Sequence, residues 1–353
     1  MRYKKTLLIF FIILTFCVLG YPAYLLCGKT FSNLCLQYSS SEESKISHVD
    51  NIDSTSQNSP YDLAFAVLGD IHDNESDFQD SVDDIKSTDI KLDALILNGD
   101  TVDQGIASQY EQMKNAIQKN INNLPSTIIK NIGNHEFYDY DHGNKSKEDV
   151  DEKIQKYLDF AQEKNVYHDK WINQYHFISL GSEDGNSPTC SSTSAFISNT
   201  QIAWLEEKLA ENYEKGRPIF VFLHQPLILN WGWGDIPGTN VSSNLNNILS
   251  KYPEVILFNS HTHKQLTEEC IDTSNGYTIG QTGAISYTLF HNSDNTLSRD
   301  YSYTNGLFVT IKDNVVNISG RDFKNHGWIF SKDINIIKVP IYGTFKLDNL
   351  QFF

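Results

Sequence analysis

Five short apolar runs in this chain each stop abruptly at an Asp, Asn or His. Residues 63–68 run into Gly69-Asp70-Ile71-His72, and residues 94–97 into Asn98-Gly99-Asp100. Residues 127–132 run into Gly133-Asn134-His135-Glu136, residues 219–223 into His224, and residues 255–258 into Asn259-Ser260-His261-Thr262-His263. Rich in β-branched and aromatic residues, the runs read as buried strands. Helical patterns lie between them. Residues 104–122 repeat apolar positions at helical intervals, and residues 150–163 follow an acidic first turn that suits the helix dipole. Residues 200–213 place Ile202, Leu205 and Leu209 on one face, with Thr200 as the expected N-cap. Strands alternating with helices give an α/β fold. Ligands of open α/β sheets bind at the C-terminal ends of the strands, which is where these polar clusters fall.

After about residue 275 the pattern becomes β-rich. Residues 275–281, 306–312, 315–320 and 334–340 read as successive strands with little helix between them. They imply a second sheet packed on the first. No internal repeat and no boundary interrupts residues 61–353, which read as one domain.

The N-terminus is different. Arg2, Lys4 and Lys5 precede an uncharged apolar stretch, residues 6–26. Its 21 residues match the ~20 needed to cross a membrane and exceed the ~7–15 of a signal-peptide core. Residues 1–30 therefore read as a transmembrane signal anchor or a signal peptide. The positive flank is expected to stay cytoplasmic, leaving the rest extracytoplasmic, or secreted if the segment is cleaved. Residues 31–60 read as a flexible tether, because their Ser-rich part lacks the apolar surface to offset ordering entropy. Cys27, Cys35, Cys190 and Cys270 allow two disulfides in an oxidising compartment; free buried thiols fit equally well.

Charge narrows the function. The chain has 28 Lys+Arg against 44 Asp+Glu, and residues 1–30 hold four of the basic residues and no acid. The remainder carries 24 basic residues against 44 acidic, net −20, which disfavours a nucleic-acid partner. Any phosphate chemistry needs local cations. The strand-end clusters offer a place for them. Carboxylate, imidazole and amide oxygen without Cys suit intermediate divalent metals better than a structural zinc site. Asp70 and His72 can converge on one ion from a strand end. Asp100 can bridge two cations with its two oxygens, and Asn134 adds a neutral ligand. His261 and His263 point the same way if the backbone there is extended.

The ordered set D-x-H, G-D, G-N-H-E, H and H-x-H, over about residues 63–285, resembles the calcineurin-like metallophosphoesterase superfamily. The resemblance implies a sandwich of two mixed β-sheets flanked by helices, carrying a centre of two divalent metal ions (manganese, iron or zinc). It implies that Asp70, His72 and His263 bind one metal, that Asp100 bridges, and that Asn134, His224 and His261 bind the second. His135 would face the scissile phosphate rather than ligate. Two such cations would lower the pKa of a shared water and supply hydroxide near neutral pH. The expected activity is hydrolysis of a phosphoester, as a phosphodiesterase or broad phosphohydrolase. The alternative is a non-catalytic metal-binding scaffold of the same fold. The family usually places Gly before its H-x-H, where this chain has Ser260, whose Cβ is expected to shift the backbone or cap a turn.

Other residues carry less. Asp103 fits either a partner for a ligand His or a capping residue. Tyr138, Tyr140 and His142 fit an exposed loop better than a pocket wall. Trp231 and Trp233, in a Gly-rich segment, fit either a substrate clamp or loop packing.

Overall fold

A computed structural model of the chain describes residues 59–227, 242–294 and 296–336. The apolar stretch 6–26 expected to meet a membrane, all of the expected tether except residues 59–60, Trp231, Trp233 and positions 337–340 lie outside them. Among the described residues no helix is long and apolar enough to cross a membrane.

The first sheet is built around β1 (Leu63–Leu68), a strand buried along its whole length. On one side it pairs in parallel with β2 (Ala94–Asn98), which pairs with β3 (Thr127–Asn131). On the other side it runs antiparallel to β12 (Asn305–Lys312), followed by β13 (Val315–Asp322) and β14 (Gly327–Ile334). The strand order is β14-β13-β12-β1-β2-β3. The second sheet joins β4 (His168–Ile172), β5 (Tyr175–Ser179), β6 (Ile219–Phe222), β7 (Val255–Asn259), β8 (Ile271–Asp272) and β9 (Thr278–Gln281), in the order β4-β5-β6-β7-β9-β8. A separate hairpin, β10 (Thr288–His291) and β11 (Leu297–Asp300), stands apart from both.

Alternation along the strands explains the layering. Leu63, Phe65 and Val67 enter the core between the sheets, against Phe177, Phe220, Phe222 and Phe258. Phe65 meets Phe177 and Phe220 edge-on at 5.0 and 4.8 Å. Ala64, Ala66 and Leu68 face the other way, toward α1 (Glu75–Ser87), α2 (Ala107–Lys119) and α3 (Lys147–Ala161). On the far side of the second sheet, Val221 and Leu257 pack with Leu205 and Leu209 of α4 (Asn199–Ala210) and Leu245 of α5 (Ser242–Leu249). The result is an α/β fold of two mixed sheets flanked by helices.

Two expectations need correction. The strands after residue 300 do not form a sheet of their own: β12 to β14 extend the first sheet, on the edge of β1 opposite β2. Of the β-rich second half, only β8 and β9 join the second sheet. The last described strand, β14, ends at Ile334, and most of the strand expected at 334–340 lies outside the described residues. Finally, α4 is capped by Ser198, whose hydroxyl accepts from the Gln201 N–H, and Thr200 already lies inside the helix. Cys190 and Cys270 are both buried free thiols.

Candidate metal centre

The loops leaving β1, β2, β3, β6 and β7 meet at one edge of the sandwich. To do so, much of the backbone turns left-handed: Asp70 (φ 55°), His72 (51°), Asp100 (50°), His261 (72°) and His263 (50°) all have positive φ. Asp and His tolerate this region better than most side chains, yet such a concentration is costly and marks a site held by its surroundings. The extended backbone expected at His261-Thr262-His263 is absent. Each imidazole sits in a turn, and the two diverge.

His263 Nε2 lies 3.0 Å from His72 Nε2 and 3.4 Å from Asp70 Oδ1. His261 Nδ1 lies 2.7 Å from Asn134 Oδ1 and 3.3 Å from His224 Nε2. Asp100 Oδ2 is 3.1 Å from His224 Nε2 and 3.8 Å from His72 Nε2, so it reaches both clusters. Asp70 Oδ1 likewise lies 3.9 Å from His72 Nε2 and 3.8 Å from His224 Nε2. Asp70, His72 and His263 form one group that could hold a metal ion, and Asp100, His224 and His261 another. All seven residues read from the strand ends are thus brought together.

Hydrogen bonds behind the ligand atoms fix the imidazole tautomers. His224 Nδ1 donates to the Asn98 carbonyl (2.8 Å) and His263 Nδ1 to the Tyr287 carbonyl (2.9 Å). Each Nε2 is therefore the nitrogen turned toward the site; on His224 the nearby Asp100 outweighs burial and lifts the pKa to about 9, so a cation there would take the place of the Nε2 proton. The Nδ1 of His72 faces Asp103 Oδ1 at 3.5 Å. His72 Nε2 and His263 Nε2, 3.0 Å apart, can share a proton or offer both nitrogens to one cation. The carboxylates are in tension: burial, with the nearby Asp100 charge, pushes Asp70 up to about 8 against the pull of His224. Burial and then the His224 charge drive His261 down to about 3. Imidazole nitrogens aimed inward and buried carboxylates are what a pair of divalent cations fits.

His135 is held differently. Its backbone N–H donates to Asp100 Oδ1 (2.8 Å), and its Nδ1 lies 2.9 Å from the Asp103 carbonyl and 3.3 Å from Asp103 Oδ1. Burial works to lower its pKa, but Asp100 and Asp103 outweigh burial and lift it to about 9. Asp103 thus partners two site histidines. Tyr138 also belongs here, contrary to the loop reading. Its hydroxyl accepts from Asn134 Nδ2 (3.0 Å), aiming Asn134 Oδ1 inward, and its ring lies 4.2 Å from that of His135. His142 is exposed, as expected.

Glu136 carried no role in the sequence, yet its buried carboxylate ties the loop after β3 to the loop after β2. Oε2 accepts from the Asp100 N–H (3.0 Å) and the Gly133 N–H (2.7 Å), and Oε1 from the Thr101 N–H (2.8 Å). Ser260 is fully buried. Its hydroxyl accepts from Asn98 Nδ2 at 2.9 Å and pairs with Thr282 Oγ1 at 2.8 Å. It fills the space where a Cβ on Gly69 would meet it at 2.3 Å. The side chain missing at Gly69 makes room for the one present at Ser260.

The family model for calcineurin-like phosphoesterases matches residues 63–265, more than half of the chain. The chain belongs to the calcineurin-like phosphoesterase family. Among solved structures, a dimetal phosphatase from Danio rerio matches with a TM-score of 0.55 at 12% identity, over 78% of this chain and 100% of that one. A purple acid phosphatase from yellow lupin (Lupinus luteus) seeds matches with a TM-score of 0.55 at 15% identity, over 77% of this chain and 53% of that one. The anchor of the inner membrane complex of Plasmodium matches with a TM-score of 0.53 at 13% identity, over 78% and 89%. At these identities the likeness is one of fold. No curated protein matches the chain.

Proposed function

We propose that this chain hydrolyses phosphoesters at a two-metal centre outside the cytoplasmic membrane, as a phosphodiesterase or broad phosphohydrolase. The observation that carries the reading is the convergence of Asp70, His72 and His263 with Asp100, Asn134, His224 and His261 on one buried edge. Asp70, His72 and His263 would hold one ion and Asn134, His224 and His261 the other, with Asp100 in reach of both groups. Family membership supports the phosphoesterase class, and the uncharged stretch 6–26 with its basic flank supports the location.

When bound, the two ions supply Lewis acidity toward water and the phosphoryl oxygens. The remaining work belongs to side chains. His135, held at Nδ1 by Asp103, keeps a proton for the substrate, to stabilise a phosphoryl oxygen or to protonate the leaving oxygen. Tyr138 fixes Asn134, and Asn98 and Tyr287 fix the tautomers of His224 and His263.

The test is His135→Ala, with metal content and rate measured together. Both metals should remain, while the rate falls roughly 10²–10⁴-fold, as for removal of a general acid. p-Nitrophenyl esters, whose leaving group departs without a proton, should suffer least and alkyl esters most. Loss of metal would make His135 a ligand, and an unchanged rate would remove it from the mechanism.

A further inference from the structure

The metals explain how this acidic chain holds the phosphate it cleaves. They do not explain what happens to the rest of the substrate. Next to the Asp70, His72 and His263 group, the chain builds a structure that the reaction leaves unused. Residues 285–289 run along the site: the Ser286 N–H and hydroxyl both donate to the Asp70 carbonyl (3.0 and 2.8 Å), and the Leu289 N–H donates to the His263 carbonyl (2.7 Å). From there the β10–β11 hairpin projects, with Arg299 directly opposite Leu289 in register.

Arg299 is aimed rather than free. Its guanidinium carbon lies 4.3 Å from the centre of the Tyr287 ring, and that ring stacks on His263 at 4.2 Å with an angle of 22°. Cation–π contact holds the guanidinium against the same ring that stacks on this candidate metal-site histidine. No ion pair between Arg299 and a carboxylate is found among the described residues, although the side chain is exposed and acidic groups are abundant. Tyr301 lies 5.8 Å from Tyr287, and Tyr140, whose hydroxyl donates to Asp103 at 3.2 Å, lies 6.0 Å from the Tyr138 ring that packs on His135. Tyr140 and Tyr301 are 62% and 54% exposed, two flat apolar faces at the mouth of a charged site.

We propose that Arg299, with Tyr140 and Tyr301, is the leaving-group subsite, and that it selects substrates whose leaving group carries its own negative charge beside a planar ring. Planar geometry and a permanent charge make arginine suited to a phosphate oxygen, and the tyrosine faces suited to a ring. The inference rests on the phosphoesterase reading above. A nucleoside diphosphate cleaved at its terminal phosphate meets both requirements. In that cleavage water adds its oxygen to the terminal phosphorus and the bridging P–O bond breaks with its electron pair on AMP. The products are AMP, orthophosphate and a proton.

The experiment compares wild type, Arg299→Gln and Arg299→Lys in the manganese-loaded full chain. Calorimetric binding of ADP and of orthophosphate is measured alongside hydrolysis of bis-p-nitrophenyl phosphate, whose leaving group is a single aryl oxide. Arg299→Gln should weaken ADP binding about 10- to 100-fold, the scale of a lost charge-assisted hydrogen bond. Orthophosphate binding should stay within about twofold, and Arg299→Lys should recover part of the ADP affinity; bis-p-nitrophenyl phosphate turnover by wild type shows only that the centre is active. ADP binding that is absent, or equal in wild type and Arg299→Gln, overturns the subsite while leaving the phosphoesterase reading intact if the diester is still cleaved. Equal losses for ADP and orthophosphate also overturn it. Arg299-dependent ADP binding without any diester turnover keeps the subsite and sinks the phosphoesterase reading.

Discussion

Glu136 makes the site's dependence on single residues plain. Its two oxygens take three backbone N–H groups from the loops that carry Asp100, Thr101 and Gly133. In Glu136→Gln an NH₂ group replaces one oxygen and faces at least one of those donors. The expected loss is about 1–3 kcal/mol for the orphaned group. Metal affinity should fall about 10–100-fold, because the displaced loops carry ligands. Denaturant unfolding and a metal-competition titration on the variant check both; unchanged metal retention would show that Glu136 does not position the ligand loops. The seven candidate ligands could be picked out in the sequence because they cluster where apolar runs end, and the structure brings them together. Glu136 could not, since its work is done on backbone atoms of its own loop and the loop after β2. Nor could the Gly69/Ser260 exchange, which depends on two chain segments meeting in space.

At the level of elements, α1 and β13 are joined by a buried ion pair. Arg321 donates to both carboxylate oxygens of Asp84, from Nε at 2.7 Å and from a terminal nitrogen at 2.8 Å. The guanidinium also lies 4.7 Å from the centre of the Trp328 ring. Burial opposes ionisation of Asp84, but hydrogen bonds from Arg321 and His326 hold its pKa below the ordinary value. A depressed carboxylate adds stability above its unfolded pKa of ~3.9 and loses it as pH falls through the lower folded value. Asp84→Asn should cost about 3–5 kcal/mol near neutrality by leaving Arg321 buried and unpaired. The gap from wild type should begin to narrow below about pH 4, where the unfolded chain takes up the proton, and close only below the depressed folded pKa. Urea midpoints at both pH values measure this, and a variant within about 1 kcal/mol of wild type at neutrality would remove the pair from the account. Neither α1 nor this link was foreseen, because α1 is largely polar and its partner lies far along the chain. The helices at residues 150–163 and 200–213 were foreseen to within a turn, because capping and amphipathic spacing are local signals.

Over the whole molecule, the family match ends at residue 265, whereas the first sheet does not close until β14. A chain cut after residue 265 keeps every metal ligand read from the sequence. It loses β12, whose Leu307, Val309 and Ile311 lie across from Val67, Phe65 and Leu63. It should therefore fail to fold, while residues 59–336 should give a soluble product with one cooperative transition. Thermal unfolding followed by circular dichroism distinguishes the two, and a cooperative transition in the shorter piece would show that β1 is stable without β12. The two-sheet architecture was legible from strand number, but the sharing of strands between the sheets was not. Edge pairing between distant strands leaves no mark in local periodicity.

The antiparallel pairing of β1 with β12 also sets a timetable for synthesis. Leu63 is translated early, and Ile311, its partner across the sheet, emerges roughly 10–50 s later at about 5–20 residues per second. For that interval β1 has an open edge carrying Phe65 and Val67, the kind of surface that recruits chaperones or pairs with the wrong strand. The chain can only commit to its native sheet once nearly all of it has been made, so its yield in a cell is set as much by what shields β1 in the meantime as by the stability of the finished sandwich.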